Sequence, residues 1–127
     1  MRDTVEEFTL YKELGKEILN VDPHIRFVGI INHHGKLISG SIQKNIKLQV
    51  EPNECEMLYM EATLRMKMRQ EFDHCLGPVN FAMSHRRNFI ITKYLFGNDL
   101  VYISADTNFD FAKTPFEIIA ILKKERI

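Results

Sequence analysis

The alternation of apolar and polar positions divides the chain into a helix, two strands, a long helix, three strands and a final helix. Val5, Phe8, Leu14 and Ile18 recur at helical spacing, with Leu10 and Tyr11 beside that stripe. Asp3 followed by Glu6 reads as a cap with a capping box, Thr4 being the other candidate cap. Asp22-Pro23 closes this helix, because the residue before a proline is pushed out of the helical region. The nearly continuous apolar run 25–31 suits a strand covered on both faces. Residues 32–36 form a tight turn in which Gly35 is free to take a positive φ. A weaker strand follows through Leu37, Ile38 and Ile42. Its Ser39-Gly40-Ser41 centre places it at a sheet edge. The polar stretch 44–52 carries alternating Ile46, Leu48 and Val50 and is expected to run extended along the surface.

The long helix is bracketed by Asn53 with Glu56, a cap and its acidic partner, and by Leu76-Gly77-Pro78, a glycine end followed by a proline stop. Residues 54–76 contain no interrupting proline or glycine. At about 100° per residue, Met57, Met60, Leu64, Met68, Phe72 and Cys75 form one apolar stripe, and Cys55, Leu58, Tyr59, Ala62 and Met66 form another roughly 140° away. A surface helix needs only one. The first stripe is expected to lie on the sheet, and the second to meet a copy of itself or a partner. The alternative is ordinary core, with residues 44–52 or a terminal helix folded over the second stripe. Methionine-rich faces suit adaptable binding surfaces. Arg65 and Arg69 flank the second stripe, placed for rim salt bridges to acids such as Glu61 or Glu54 across a two-fold axis, or for solvated pairing within their own helix.

Three strands follow at 79–85, 89–96 and 100–105, joined by the hairpin-length connections Arg86-Arg87-Asn88 and Gly97-Asn98-Asp99. Thr114-Pro115-Phe116-Glu117 combines a cap, a proline at the first helical position and an acid two residues later. The last helix carries Ile118, Ile119, Ile121 and Leu122.

With 127 residues the chain makes one domain, 1–127, long enough to fold without a metal or disulfide staple. Its 17 basic and 17 acidic residues cancel, which removes the electrostatic case for nucleic acid or an anionic membrane as partner and weakens the defence against self-association. No apolar run approaches the ~20 residues of a membrane span, and no signal-peptide core is present, so a cytoplasmic protein is expected. Cys55 and Cys75 sit at opposite ends of one predicted helix, about 30 Å apart, and read as buried or semi-buried thiols in a reducing compartment.

Candidates for chemistry are few. His33-His34 are adjacent, so an extended chain points them to opposite faces and they do not chelate one ion. Asp73-His74-Cys75 holds suitable atoms at unsuitable spacing, since convergent groups on a helix lie three or four residues apart. His85-Arg86-Arg87 reads as a wet turn rather than an anion site, and His24 at the start of a strand needs no special role. No phosphate loop, dinucleotide fingerprint, zinc-protease or paired-cysteine motif occurs. No enzyme, cofactor or metal site is expected.

The hairpin Phe27-Val28-Gly29-Ile30-Ile31 to Lys36-Leu37-Ile38-Ser39-Gly40, the closing strand Leu100-Val101-Tyr102-Ile103-Ser104 and the element order resemble the roadblock/LC7 domain, of profilin-like architecture. Leu76-Gly77-Pro78-Val79-Asn80 also resembles small uncharacterised archaeal proteins of that kind. The resemblance implies an α+β fold, α-β-β-α-β-β-β-α, whose five-stranded antiparallel sheet carries the long central helix on one face and the terminal helices on the other. It implies a homodimer paired through the central helix and the adjacent edge strand. The pairing surface would comprise Leu58, Tyr59, Ala62, Arg65, Met66, Arg69, Phe81 and Met83, with Ala82 between the last two. It implies a non-enzymatic regulatory or scaffolding module without cofactor, with a small GTPase or another signalling protein as partner. A second reading is a small-molecule sensor with its ligand between sheet and central helix.

Overall fold

The computed structural model describes residues 4–44 and 52–125; the side chains of Thr4, Val5, Pro52 and Asn53 lie outside that description. So do the expected Asp3 cap and the stretch 45–51. Helix α1 (Thr4–Leu19) leads into β1 (Ile25–Ile31) and β2 (Leu37–Ile42), then α2 (Pro52–Gln70), a four-residue α3 (Asp73–Leu76), β3 (Ala82–His85), β4 (Ile90–Phe96), β5 (Asp99–Ala105) and α4 (Thr114–Glu125). The five strands form one antiparallel sheet in the order β2-β1-β5-β4-β3. The apolar β1, β4 and β5 fill its interior. The serine- and glycine-diluted β2 and the short β3 take the edges.

Each face of the sheet has its own core. On one face Leu14 and Ile18 of α1 and Ile118 and Leu122 of α4 join Ile25, Val28, Ile30, Ile90, Tyr94, Val101 and Ile103 of the sheet. Against α2 lie Phe27, Ile31, Ala82, Leu100 and Tyr102. The expected α+β layering is therefore present, with the central helix on one face and the terminal helices on the other. The dilution of β2 has a packing reason. A Cβ at Gly29 or Gly40 would come within 2.8 or 3.0 Å of the Phe27 ring, and one at Gly15 of α1 within 2.6 Å of the Ser41 hydroxyl. Small residues let a helix and a phenyl ring close onto the sheet from opposite sides.

The structure corrects several expected details. Phe8 is 48% exposed, so the buried side of α1 is Tyr11, Leu14, Ile18 and Leu19. The central helix stops at Gln70, and residues 71–76 beyond it are exposed or half-buried. The chain tightens there, with Glu71 N–H donating to Met68 O and Phe72 N–H to Arg69 O, before the separate turn of α3 ends at Gly77, φ 82°. Asn53 falls inside the first turn of α2, and Pro52 opens the helix. The turn leading into α4 is closed by Asp110, whose carboxylate accepts the N–H groups of Ala112 and Lys113. Thr114 instead donates its hydroxyl to Asp22. Cys75, expected to be at least half-buried, is exposed, while Cys55 is half-buried; no disulfide joins them.

Candidate interaction surface

On α2 the residues Tyr59, Ala62, Thr63 and Met66 follow helical spacing and are all buried, the last three at 1%, 7% and 2% exposure. They face Phe27, Ile31, Leu100 and Tyr102 of the sheet. This reverses the expected orientation: Tyr59, Ala62 and Met66, named above as pairing residues, are roofed by their own chain. Periodicity locates two stripes without ranking them. What ranks them is fit, because Ala62 permits close approach and Tyr59 stands edge-on to Tyr102. Leu58 is half-buried at the side.

The other stripe, Met57, Met60, Leu64 and Met68, faces away from the sheet at 72%, 40%, 52% and 68% exposure. Phe72 and Leu76 carry it past the helix end. A shallow groove is lined by these methionines with Leu64, Glu61, Arg65 and Arg69. The helix thus carries two apolar sides, and the outer one is the methionine-rich one.

The flanks of α2 differ. Towards β1 and β2, Lys67 donates from Nζ to His33 O at 3.0 Å, and the Gly35 turn presses so near that a Cβ there would lie 3.2 Å from Met60 Cα. Gly35 has φ 82°, so a glycine fits both needs. Towards β4, Glu54, Leu58, Glu61, Arg65 and Arg69 form one line at three- and four-residue intervals. Glu61 and Arg65 approach to 3.6 Å, both more than half exposed.

Beneath this line sits Lys93 of β4, only 6% exposed and paired in the ladders with Ala82 and Tyr102. It has no hydrogen bond or ion pair among the described residues. Burial lowers its pKa, and the nearby Arg69 and Arg65 lower it further against the opposing pull of Glu61. Nη1 of Arg69 is likewise shut from solvent without a hydrogen-bond partner among the described residues. Sequence reasoning missed Lys93, although its signal was legible: a single charge inside the otherwise apolar run 90–96.

The edge strand β3 lies just beyond, hydrogen-bonded among the described residues to β4 alone. Met83 is 42% exposed. Phe81 is held on the opposite side of the sheet, stacked with Tyr94 at 6.1 Å and edge-on to Phe116 at 5.6 Å. Of the expected pairing residues, Arg65, Arg69 and Met83 remain at the surface near one another's elements, and Tyr59, Ala62, Met66 and Phe81 serve the protein's own packing.

The other candidates stay apart. His33 and His34 are exposed, their rings 4.0 Å apart. His74 Nδ1 lies 3.1 Å from Glu71 O, and the exposed Cys75 thiol donates weakly to Phe72 O. His85 sits edge-on to Phe111, and His24 pairs with Asp106 at 3.1 Å. No group of three or more metal-capable side chains occurs among the described residues. A cavity of about 530 Å³ between the N-terminal half of α2 and the sheet is lined by Arg26, Leu58, Tyr59, Arg86, Phe89 and Tyr102, among others. No helix among the described residues is long and apolar enough to cross a membrane.

Residues 5–126 match a family described as "Family of unknown function (DUF6659)". No curated protein matches the chain. Among solved structures, a Roadblock/LC7 domain from Streptomyces avermitilis superposes with TM-score 0.70 at 13% identity, covering 91% of this chain and 93% of the other. The gliding protein MglB from Thermus thermophilus gives 0.69 at 13% identity, covering 98% and 94%. An MglB solved in a tetrameric arrangement gives 0.68 at 12% identity, covering 98% and 93%. At these identities the likeness is one of fold: the chain has the Roadblock/LC7 architecture.

Proposed function

This chain belongs to the DUF6659 family, a family of unknown function, and on that footing we propose that it is a non-enzymatic, dimeric regulatory or scaffolding module. The observation that carries the reading is the exposed Met57, Met60, Leu64 and Met68 face of α2 beside the open edge strand β3. An exposed contiguous apolar face and an unpaired sheet edge are each features that soluble chains normally cover. A second copy covers both at once, and the zero net charge of the sequence does not oppose its approach. The tetrameric arrangement reported for a structural neighbour supports assembly in this fold. The dimer then presents a composite platform for a signalling protein. A small GTPase is the partner class that the roadblock resemblance brings with it, and a cytoplasmic location goes with that role.

Light scattering gives the deciding measurement. A dimer that falls to monomers on Leu64→Glu or Met68→Glu, with helical content unchanged, supports the reading. A wild-type chain that stays monomeric at high concentration ends it. Titration against small GTPases loaded with GDP or a GTP analogue then tests the partner class.

A second reading has its own observation, the cavity beside α2. Two arginines, Arg26 and Arg86, stand there over an apolar and aromatic lining that includes Ile91, Phe89 and Tyr102. A small ligand seated there makes the domain a sensor, and a metabolite that survives native mass spectrometry and raises the melting temperature supports it.

A further inference from the structure

The pairing of β1 with β5 slips between Ile25 and Phe27, so that Arg26 is an extra residue on its strand. Ile25 packs into the core of α1 and α4, whereas Phe27, two residues on, packs under α2. In a regular strand these two would share a face. The bulge turns Arg26 to the α2 side as well, where it lines the cavity of about 530 Å³. Its guanidinium lies 5.4 Å from the centroid of the Phe89 ring. Arg86, from the turn between β3 and β4, lines the same cavity. Neither side chain makes an ion pair or a hydrogen bond among the described residues. A ring contact holds a guanidinium without consuming its N–H donors, so the fork of Arg26 stays open to a bidentate acceptor.

The lining also holds two carboxylates, Glu54 and Glu61. Both are exposed and belong to α2, whereas both arginines come from the sheet side, and Glu61 is already shared with Arg65. Between the two charged sides the wall is apolar, with Leu58 on the helix and Ile91 and Tyr102 on the sheet.

We infer that this cavity binds a small organic acid with a single negative charge and a flat apolar body, its carboxylate on Arg26 and Arg86 and its body between Leu58, Ile91 and Tyr102. The inference rests on the sensor reading above and adds the class of ligand. An inorganic anion would gain nothing from the apolar wall, and a neutral aromatic molecule would leave the guanidinium donors unmatched. A second negative charge would meet Glu54 and Glu61.

The probe is 2-naphthoate, titrated calorimetrically into the full chain. The same body without charge, 2-naphthamide, and with close to two charges at about pH 7.5, 2-naphthyl phosphate, are its comparisons. Naphthoate is expected to bind at least tenfold more tightly than either, a margin of about 1.4 kcal/mol. Arg26→Gln is expected to erase that margin while leaving naphthamide binding as in wild type. Should it fail to fold, Arg86→Gln on the exposed turn is read in the same way. Cys55 lines the cavity and is half-buried, so bound naphthoate is expected to slow its alkylation by iodoacetamide in a Cys75→Ser background. Leu64→Gln, on the outer face of α2, is expected to leave naphthoate affinity unchanged.

The outcomes separate. Naphthoate and naphthamide binding alike, both protecting Cys55, overturns the acid and leaves a ligand cavity standing. Tighter binding of naphthyl phosphate overturns the single charge. Binding that Leu64→Gln weakens, with Cys55 still fully reactive, places the probe on the methionine groove and overturns the site. Failure of all three probes to bind overturns the ligand class and the sensor reading together.

Discussion

Tyr59 of the central helix stands edge-on to Tyr102 of β5, their ring centroids 5.4 Å apart and their planes at 82°. This contact, with Ala62 and Met66 beside it, fixes which side of α2 meets the sheet and so which side remains outside. An edge-to-face pair adds a directional preference to simple burial, and it cannot be kept if the helix rotates. Tyr59→Ala is expected to cost about 3 kcal/mol of unfolding free energy, read from urea melts. Leu64→Ala on the outer face is expected to cost under about 0.5 kcal/mol in the monomer. Equal costs would mean that the two sides of the helix are not assigned as described.

All 4 tyrosines of the chain are held in their neutral form. Burial is the main cause in each, raising Tyr102 to about 12 and Tyr11, Tyr59 and Tyr94 higher still. Tyr11 adds hydrogen bonds to Asp99 and Glu7. A raised folded pKa favours the protonated phenol. This stabilisation is complete below the ordinary value of 10 and is lost as pH climbs above it. Tyrosinate absorbance is therefore expected to stay near zero through about pH 10 and to rise together with loss of circular dichroism. One tyrosine titrating alone near its ordinary value in the folded protein would contradict this burial pattern.

The sequence showed the layers well and the orientation of one helix badly, for a physical reason. Strand identity and edge position follow from composition: Ile25–Ile31 and Ile90–Phe96 are largely apolar, whereas Leu37–Ile42 is diluted by Ser39, Gly40 and Ser41. Those features are local. Which of two apolar stripes on α2 turns inward depends on the surface opposite, built from Phe27, Gly29, Gly40 and Tyr102, residues far away in the chain. Placing the Met57, Met60, Leu64 and Met68 stripe on the sheet pointed the wrong way, because hydrophobicity alone does not report fit. Lys93 was passed over because a strand pattern says that a position is inside without saying what its neighbours carry.

Asp22 joins the start of β1 to the start of α4. It is 4% exposed, accepts the His24 N–H at 2.8 Å and the Asp110 N–H at 3.2 Å, and takes the Thr114 hydroxyl at 3.0 Å. Asp22→Ala leaves several donors without partners. It is expected to lower stability by about 3 kcal/mol, whereas Thr114→Val is expected to lose about 1 kcal/mol. Thermal melts of both variants check the order, and an Asp22→Ala protein as stable as wild type would remove this carboxylate from the account of how the terminal helix docks.

Lys93 makes its own contribution to pH dependence, and its sign is opposite to that of the tyrosines. Burial, Arg69 and Arg65 lower its pKa from 10.5, against the raising effect of Glu61. The unfolded chain therefore binds a proton more readily at this position than the folded one does. Folding then becomes more favourable as pH rises between the lowered value and 10.5, and the full cost is felt below that interval. Lys93→Met removes the charge while keeping an unbranched side chain that fills the same space. In dilute solution, where single copies prevail, the variant is expected to be more stable than wild type at about pH 7, by on the order of 1 kcal/mol. Its advantage is expected to shrink as pH is raised towards about 10, before tyrosine ionisation intervenes. Taking the difference between the two proteins cancels every other titrating group they share. A gap that stays constant across that range would show that the lysine head is already neutralised within one copy.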